Sequence, residues 1–349
     1  MKIVQGIESR YQEVFDLLRN CLGEKEVARR DLHYWRWKHE DNPYGSSIQF
    51  AAEDHGHLAG LRVLMYWRWH NQSGNYLSVR AVDTVTHPEY QRRGVFTMLN
   101  RFAIKKLEQE HLGFIFNTPN KNSLPGYLKM GWNIAANLEL LVKPLRPLRI
   151  VSQLIWKVNR NDMQSISSYE RCYIEKTRDD VNSLQFNEFL KIVTNLENLL
   201  ENDRGYRGNG LSTIRGYEFL HWRYGKHPYL RYFVEVVGDP IKPDAFLIWR
   251  FNVRNCLKEI IVCDMIITIA NRKTVRNLFN NLIRKVDADY LVCHFGQNSV
   301  HRSLIKSIGF IKVPLNGIKL TTFALGTDTA KHIDDKNLWS LCLGDLELF

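Results

Sequence analysis

The chain has 349 residues, of which 44% are apolar and 24% charged, and it carries a formal net charge of +11. That length favours two domains over one compact core, and the composition excludes a disordered, fibrous or disulfide-scaffold chain. No apolar run reaches the ~18 residues of a membrane span. Met1–Arg10 holds too short an apolar stretch for a signal peptide, so a cytoplasmic location is expected. The six cysteines (Cys21, Cys172, Cys256, Cys263, Cys293 and Cys342) form no C-x-x-C pair and read as reduced and mostly buried. Histidines show no ligand spacing beyond His55-Gly-His57, and no metal site is expected. The basic excess points to a nucleic acid, an anionic membrane or a phosphorylated ligand.

In chain order, a short strand over Met1–Gln5 leads to a helix whose apolar residues Val14, Phe15, Leu17, Leu18 and Cys21 recur at helical spacing. Residues 33–45 follow as His-Tyr-Trp-Arg-Trp-Lys-His-Glu-Asp-Asn-Pro-Tyr-Gly, then strands over Ile48–Ala52 and Leu58–Trp69. These signals restart in the second half. Residues 221–229 read His-Trp-Arg-Tyr-Gly-Lys-His-Pro-Tyr, and aligning Trp35-Arg36 with Trp222-Arg223 sets Pro43-Tyr44 against Pro228-Tyr229 with one gap. A strand at Tyr173–Glu175 and a helix carrying Phe186, Phe189, Leu190, Ile192 and Val193 precede that match. Strands over Tyr232–Val237 and Ala245–Phe251 come after it. Gly113–Asn117 corresponds to Asp289–Cys293, and Asn120–Trp132 to Asn298–Phe310. The repeat predicts two copies of one α/β unit, each a mixed sheet with helices on both faces. The Pro- and Arg-bearing stretch Lys143–Arg149 marks the boundary. It divides the chain into 1–145, a connector 146–170, 171–325 and a tail 326–349.

The segment Val82-Asp-Thr-Val-Thr-His-Pro-Glu-Tyr-Gln-Arg-Arg-Gly-Val-Phe-Thr-Met-Leu99 reads as strand, tight basic turn and helix N-terminus. Such a junction gathers free backbone N–H groups and the positive end of the helix dipole at one spot. Gly94 would let the backbone approach an anion closely. By itself the same pattern serves equally as an ordinary turn.

Gln91-Arg92-Arg93-Gly94-Val95-Phe96 resembles the pyrophosphate-binding motif of GNAT-type acetyltransferases, Q/R-x-x-G-x-G/A, with Phe96 where that family has glycine or alanine. Further on, Asn120…Ser123…Tyr127…Gly131-Trp132 resembles the family's N-x-x-S/A-x-x-x-Y-x-x-x-G-F element. The resemblance covers residues 1–145 and reaches the second copy through the repeat. It implies an α/β fold of two tandem GNAT-like units, each a mixed twisted sheet flanked by helices, and acetyl-CoA as acyl donor. Val85, Thr86, Gln91, Arg92, Arg93, Gly94, Val95 and Phe96 would hold the cofactor, Asn120 would contact its pantetheine arm, and Tyr127 would protonate the leaving thiolate. In the family the fourth strand splays away from its neighbour; its end here is Asp83–Thr86. Tyr127 could instead only pack its short helix. Asp83 could be a base, an anchor for the substrate ammonium or a structural group, because Asp264 stands at the same place in the other copy.

The second copy has no glycine and no Q-x-x-G in Met265–Arg276, and Ile305 stands where Tyr127 stands. It should not bind the cofactor; it would wall the acceptor site or act as a scaffold. Glycine-rich Arg204–Gly210 reads as a mobile loop. Trp35, Trp37 and Trp222 could stack on a sugar or a base, but their recurrence in both copies favours packing. Trp339–Asp345 resembles the tails of GNAT-like proteins of bacterial surface-polysaccharide pathways. Residues 143–160 form a basic amphipathic stretch, either a strut between the copies or a helix for peripheral contact with an anionic membrane. The function expected is acetyl-CoA-dependent N-acetylation of an amino sugar or related amine, sugar- or lipid-linked, with no specific nucleic-acid partner. The alternatives are acyl or aminoacyl transfer of the tandem GNAT type, and a non-catalytic nucleic-acid-binding protein on the same scaffold.

Overall fold

The computed structural model describes residues 1–24, 28–158, 183–314, 317–326, 333, 335 and 338–346. The strand expected at Tyr173–Glu175, Cys172, the second half of the connector and parts of the tail lie outside the described residues. The first half runs β1 (Lys2–Gln5), α1 (Tyr11–Leu22), α2 (Leu32–His39), β2 (Ile48–Asp54), β3 (His57–Asn71), β4 (Gly74–Thr86), α3 (Val95–Leu107), β5 (Phe114–Asn117), α4 (Leu124–Lys129), β6 (Asn133–Leu138), β7 (Leu141–Pro144) and α5 (Pro147–Val158). The second runs β8 (Leu184–Gln185), α6 (Phe186–Ile192), α7 (Leu196–Arg204), β9 (Ser212–Thr213), α8 (Tyr217–Leu220), β10 (Phe233–Asp239), β11 (Lys242–Arg254), β12 (Leu257–Ile267), α9 (Arg272–Lys285), β13 (Tyr290–Cys293), α10 (Val300–Ser307), β14 (Ile311–Lys312) and β15 (Ile318–Ala324). Among the described residues no helix is long and apolar enough to cross a membrane.

Two mixed sheets carry the fold, in the orders β1-β2-β3-β4-β5-β15-β6 and β14-β7-β13-β12-β11-β10-β8. Helices cover both faces, which explains why β3 is apolar almost throughout rather than alternating. The sheets exchange a strand. β7 leaves the first half and pairs with β13 and β14, setting Lys143 against Leu291 and Val142 against Ile311. β15 returns to lie between β5 and β6, setting Phe323 against Ile115 and Leu320 against Ala136. Divisions at 145 and 325 therefore do not follow the sheets, because the alternation in a strand tells which face is buried and not which neighbour it bonds. Without β15 the first half would expose unpaired edges on β5 and β6. A fragment of residues 1–170 is expected to aggregate or self-associate by strand exchange, and co-expression with residues 171–349 to restore a soluble pair, as size-exclusion chromatography would show.

The repeated tryptophans join the units. Trp37 Nε1 donates to the Trp222 carbonyl at 2.8 Å, Trp222 Nε1 donates to the Trp37 carbonyl at 2.6 Å, and the rings stack 5.5 Å apart. That reciprocity matches Trp222 with Trp37 rather than with Trp35. All three rings are buried in one core that runs through both units, so their role is packing. Arg204–Gly210 is the end of α7 and a tight turn. Arg207 is buried there on Asp203 (2.6 Å) and Asp264 (2.9 Å), which pins a segment whose glycines suggested mobility.

Candidate functional site

β4 pairs with β5 over Ser78–Arg80 alone, against Phe114–Phe116. Beyond Arg80 the two strands part, and β4 continues to Thr86 paired on its β3 side. A V-shaped opening results, with the turn 91–94 and the start of α3 at its mouth. Gly94 takes the left-handed φ of +81° that a side chain would strain, and no side chain caps α3. Its first intrahelical bond runs from the Met98 amide to the Gly94 carbonyl, which leaves the amides of Val95, Phe96 and Thr97 ahead of the hydrogen-bonded ladder. A Cβ built on Gly94 meets nothing within 4 Å among the described residues, so they leave the space over the turn open. Gln91, Arg92 and Arg93 are exposed around it, and Arg93 lies 5.3 Å over the Tyr90 ring.

Two glycines that sequence reasoning passed over seat this helix. A Cβ on Gly60 would lie 2.8 Å from Val95 Cγ1 and 3.0 Å from the Val85 carbonyl, so β3 admits α3 at close range. A Cβ on Gly126 would lie 2.9 Å from Phe96 Cε1. The bulk of Phe96 thus goes into α4, where its ring meets Tyr127 edge-on at 5.2 Å, and not over the turn.

Tyr127 is buried, and its hydroxyl accepts from Arg62 Nη1 at 2.7 Å. The same nitrogen donates to Thr84 Oγ1 at 3.3 Å, which places the phenol oxygen beside the parting end of β4. Arg62, Asp83 and Thr84 all fall where the β3–β4 register breaks, between Leu61 opposite Val85 and Val63 opposite Val82. Such a bulge re-aims side chains, and Asp83 takes the left-handed φ of 40° there. Asp83 consequently turns to α2 and not to Tyr127. It accepts from Lys38 (2.5 Å) and Arg30 (3.2 Å), with His39 Nε2 at 3.1 Å. Burial opposes its ionisation, but Lys38, the His39 hydrogen bond and Arg30 outweigh burial and hold the carboxyl well below its usual range. A carboxylate so stabilised is a poor base. Asn120 lies at the other end of α4, where its Oδ1 accepts from the Asn122 and Ser123 amides (2.9 and 3.0 Å). Val85, on β4 opposite Leu61 of β3, is buried, and the Thr86 carbonyl accepts from Cys21 Sγ at 3.4 Å.

The second unit has the same opening, closed. β12 pairs with β13 over Glu259–Ile261 alone, but the tail fills the space beyond. Cys342 bridges to Phe295, and the tight turn Leu343–Asp345 packs so near β12 that a Cβ on Gly344 would lie 3.0 Å from the Cys263 carbonyl. Asp345 is clamped by Arg215 (2.8 Å), which also holds Asp264 (2.7 Å). At α9 the Asn271 side chain accepts from the Lys273 amide at 2.7 Å, so that helix caps itself. Ile305 is buried at the Tyr127 position. Between the units, beside Arg80 where the first opening starts, a small cavity is lined by Trp37, Lys38, Trp67, Trp222 and Arg223.

Residues 3–135 match the family model of the acetyltransferase (GNAT) domain. No curated protein matches the chain in sequence. Among solved structures, the fold is similar to that of a conserved protein from Enterococcus faecalis V583, titled a probable N-acyltransferase, with a TM-score of 0.63 and 10% identity over 94% of this chain and 73% of that one. It is also similar to GCN5-related N-acetyltransferases from Anabaena variabilis ATCC 29413 (TM-score 0.62, 11% identity, 94% and 74% covered) and Kribbella flavida (TM-score 0.59, 10% identity, 94% and 73% covered). At such identities the structural likeness establishes the fold, two GNAT-like sheets in one chain. The opening, the uncapped α3 and the buried tyrosine all lie within residues 3–135, the part of the chain that matches the GNAT acetyltransferase domain.

Proposed function

We propose that the chain is an acetyl-CoA-dependent N-acetyltransferase whose first unit alone holds the donor and whose acceptor is an amino sugar or related amine. The contrast between the two openings carries this reading: among the described residues one is uncapped, glycine-led and open over Gly94, while the other is capped and plugged by the tail. The amides of Val95 to Thr97, with Gln91, Arg92 and Arg93 around Gly94, suit a pyrophosphate. The free edge of β4 from Val82 to Thr86 suits an extended pantetheine arm, whose amides can hydrogen-bond a strand edge. Acetyl-CoA supplies an acyl group activated as a thioester. Tyr127 then protonates the departing sulfur, while Asp83 holds Lys38 and α2 against the first sheet as a positioning group. Thiol release from acetyl-CoA should rise when an amino sugar or nucleotide-linked amino sugar is added. Stimulation by an aminoacyl donor system instead, with none by any amine plus acetyl-CoA, would favour aminoacyl transfer.

A lipid-linked acceptor has its own observation. On α5, Leu148 is 87% exposed and Val151 54% exposed, whereas a strut packed between the units would bury both. Arg146 and Arg149 sit beside them, near Asp287 and Asp289. The side chains of Trp156, Lys157 and Arg160 lie outside the described residues. The protein is expected to co-sediment with anionic liposomes at low salt and to be released as salt rises. Replacing Leu148 and Val151 by serine should abolish retention. Failure of the intact protein to bind at low salt would mean a soluble acceptor.

A further inference from the structure

Arg62 is a buried cation with no carboxylate in ion-pair range among the described residues. Arg62 is 0% exposed, and its Nε and Nη2 are buried with no hydrogen-bond partner among the described residues. Its guanidinium lies 5.5 Å from the Tyr127 ring centre and 5.8 Å from that of Trp132. Its two hydrogen bonds go to neutral oxygens, those of Tyr127 and Thr84. Burying a cation without a carboxylate partner is unfavourable, so its place here raises the question of what it does. Arginine only donates, so it occupies a lone pair of the Tyr127 oxygen and leaves the phenol proton to point elsewhere.

We propose that Arg62 is the positioning residue for Tyr127. It aims the phenol proton away from itself and sets a positive charge behind the oxygen on which negative charge develops. This rests on the reading that CoA binds in the first opening. In the transfer step the acceptor nitrogen bonds to the acyl carbon, the C–S bond breaks and its electron pair stays on sulfur. The Tyr127 proton passes to that sulfur, and the phenolate left behind is held by Arg62 at the existing 2.7 Å bond. A proton released from the acylated nitrogen then restores the phenol.

The test uses bound CoA and needs no acceptor. The ultraviolet difference absorbance of the thiolate is followed against pH in the full-length protein and in Arg62→Met, Arg62→Lys and Tyr127→Phe. Each variant is first shown to bind CoA by calorimetry. Loss of the guanidinium should cut the thiolate fraction of bound CoA at a given pH by ~10-fold, because a phenol no longer oriented and polarised by the cation donates a weaker hydrogen bond to the thiolate. Arg62→Lys should retain part of it, since the charge stays and the planar fork goes. Because Arg62 acts through Tyr127, Arg62→Met should cause no further loss in the Tyr127→Phe background. An unchanged thiolate fraction in Arg62→Met that binds CoA normally would overturn the proposal, as would full additivity with Tyr127→Phe. Failure of the wild-type protein to bind CoA at all would overturn the cofactor reading as well. If Arg62→Met does not fold, Arg62→Lys decides: a thiolate fraction equal to wild type shows that the fork is not needed and sinks the positioning role.

Discussion

Tyr127→Phe is expected to lower turnover ~10²–10⁴-fold, the range for removing a general acid, while CoA affinity stays nearly unchanged. The expectation follows from geometry: the hydroxyl sits beside Thr84 where β4 parts from β5, with its oxygen fixed by Arg62. The turn that suits the pyrophosphate lies at α3 and does not depend on the hydroxyl. The variant also deprives Arg62 of its nearest hydrogen-bond partner, which costs about 1–3 kcal/mol of stability. Turnover must therefore be read on protein shown to be folded, as thiol release in the presence of the amine that the wild type acetylates. Unchanged turnover, with chemistry shown to limit the rate, would leave Tyr127 as a packing residue against Phe96 and Trp132.

The largest stability effect is expected at Asp83. Asp83→Asn removes the anion from Lys38, which is buried, and from Arg30 and His39 beside it. Breaking a buried pair in this way costs about 3–5 kcal/mol, and denaturant unfolding would measure it. Because the folded carboxyl titrates below its unfolded value of about 3.9, its contribution is complete above that pH. It fades as pH falls through the lower folded value. The difference in stability between wild type and Asp83→Asn should therefore be constant from pH 5 to 8 and shrink in acid. Asp264, held down in the same sense by Arg207 and Arg215 against its own burial, should behave alike. Parallel behaviour of the two would mark the shared aspartate as a structural device of the repeat, which its recurrence in the sequence already suggested. A stable Asp83→Asn that loses activity would return Asp83 to the chemistry.

Much of the first unit was legible in the sequence because its signals are local. The strand, turn and helix around Gly94, the helix bearing Tyr127 and the paired Trp-Arg segments all lie within short windows, where turn chemistry and periodicity act directly. The second unit's lack of a phosphate cradle was legible for the same reason. What stayed hidden depends on contacts between distant segments. Nothing in Leu141–Pro144 or Ile318–Ala324 says that each strand joins the other half's sheet. Nothing in Trp339–Asp345 says that it fills the opening beside β12. The glycines of Arg204–Gly210 suggested mobility because Asp264, which with the neighbouring Asp203 pins Arg207, comes from elsewhere in the chain. Arg62 did leave a trace: it is a lone arginine inside the otherwise apolar Leu58-Ala-Gly-Leu-Arg-Val-Leu-Met65, and a charge at the centre of a buried strand warrants a functional question.

The account turns on one opening being usable and the other not, and calorimetric titration with CoA addresses this directly. It predicts one site per chain, weakened by Gly94→Leu, whose side chain would be strained at φ +81° and would enter the space kept for the pyrophosphate. Asn271→Ala, which uncaps α9 beneath the tail, should leave the stoichiometry at one. Two equivalent sites per chain, or a single site indifferent to Gly94→Leu, would contradict it.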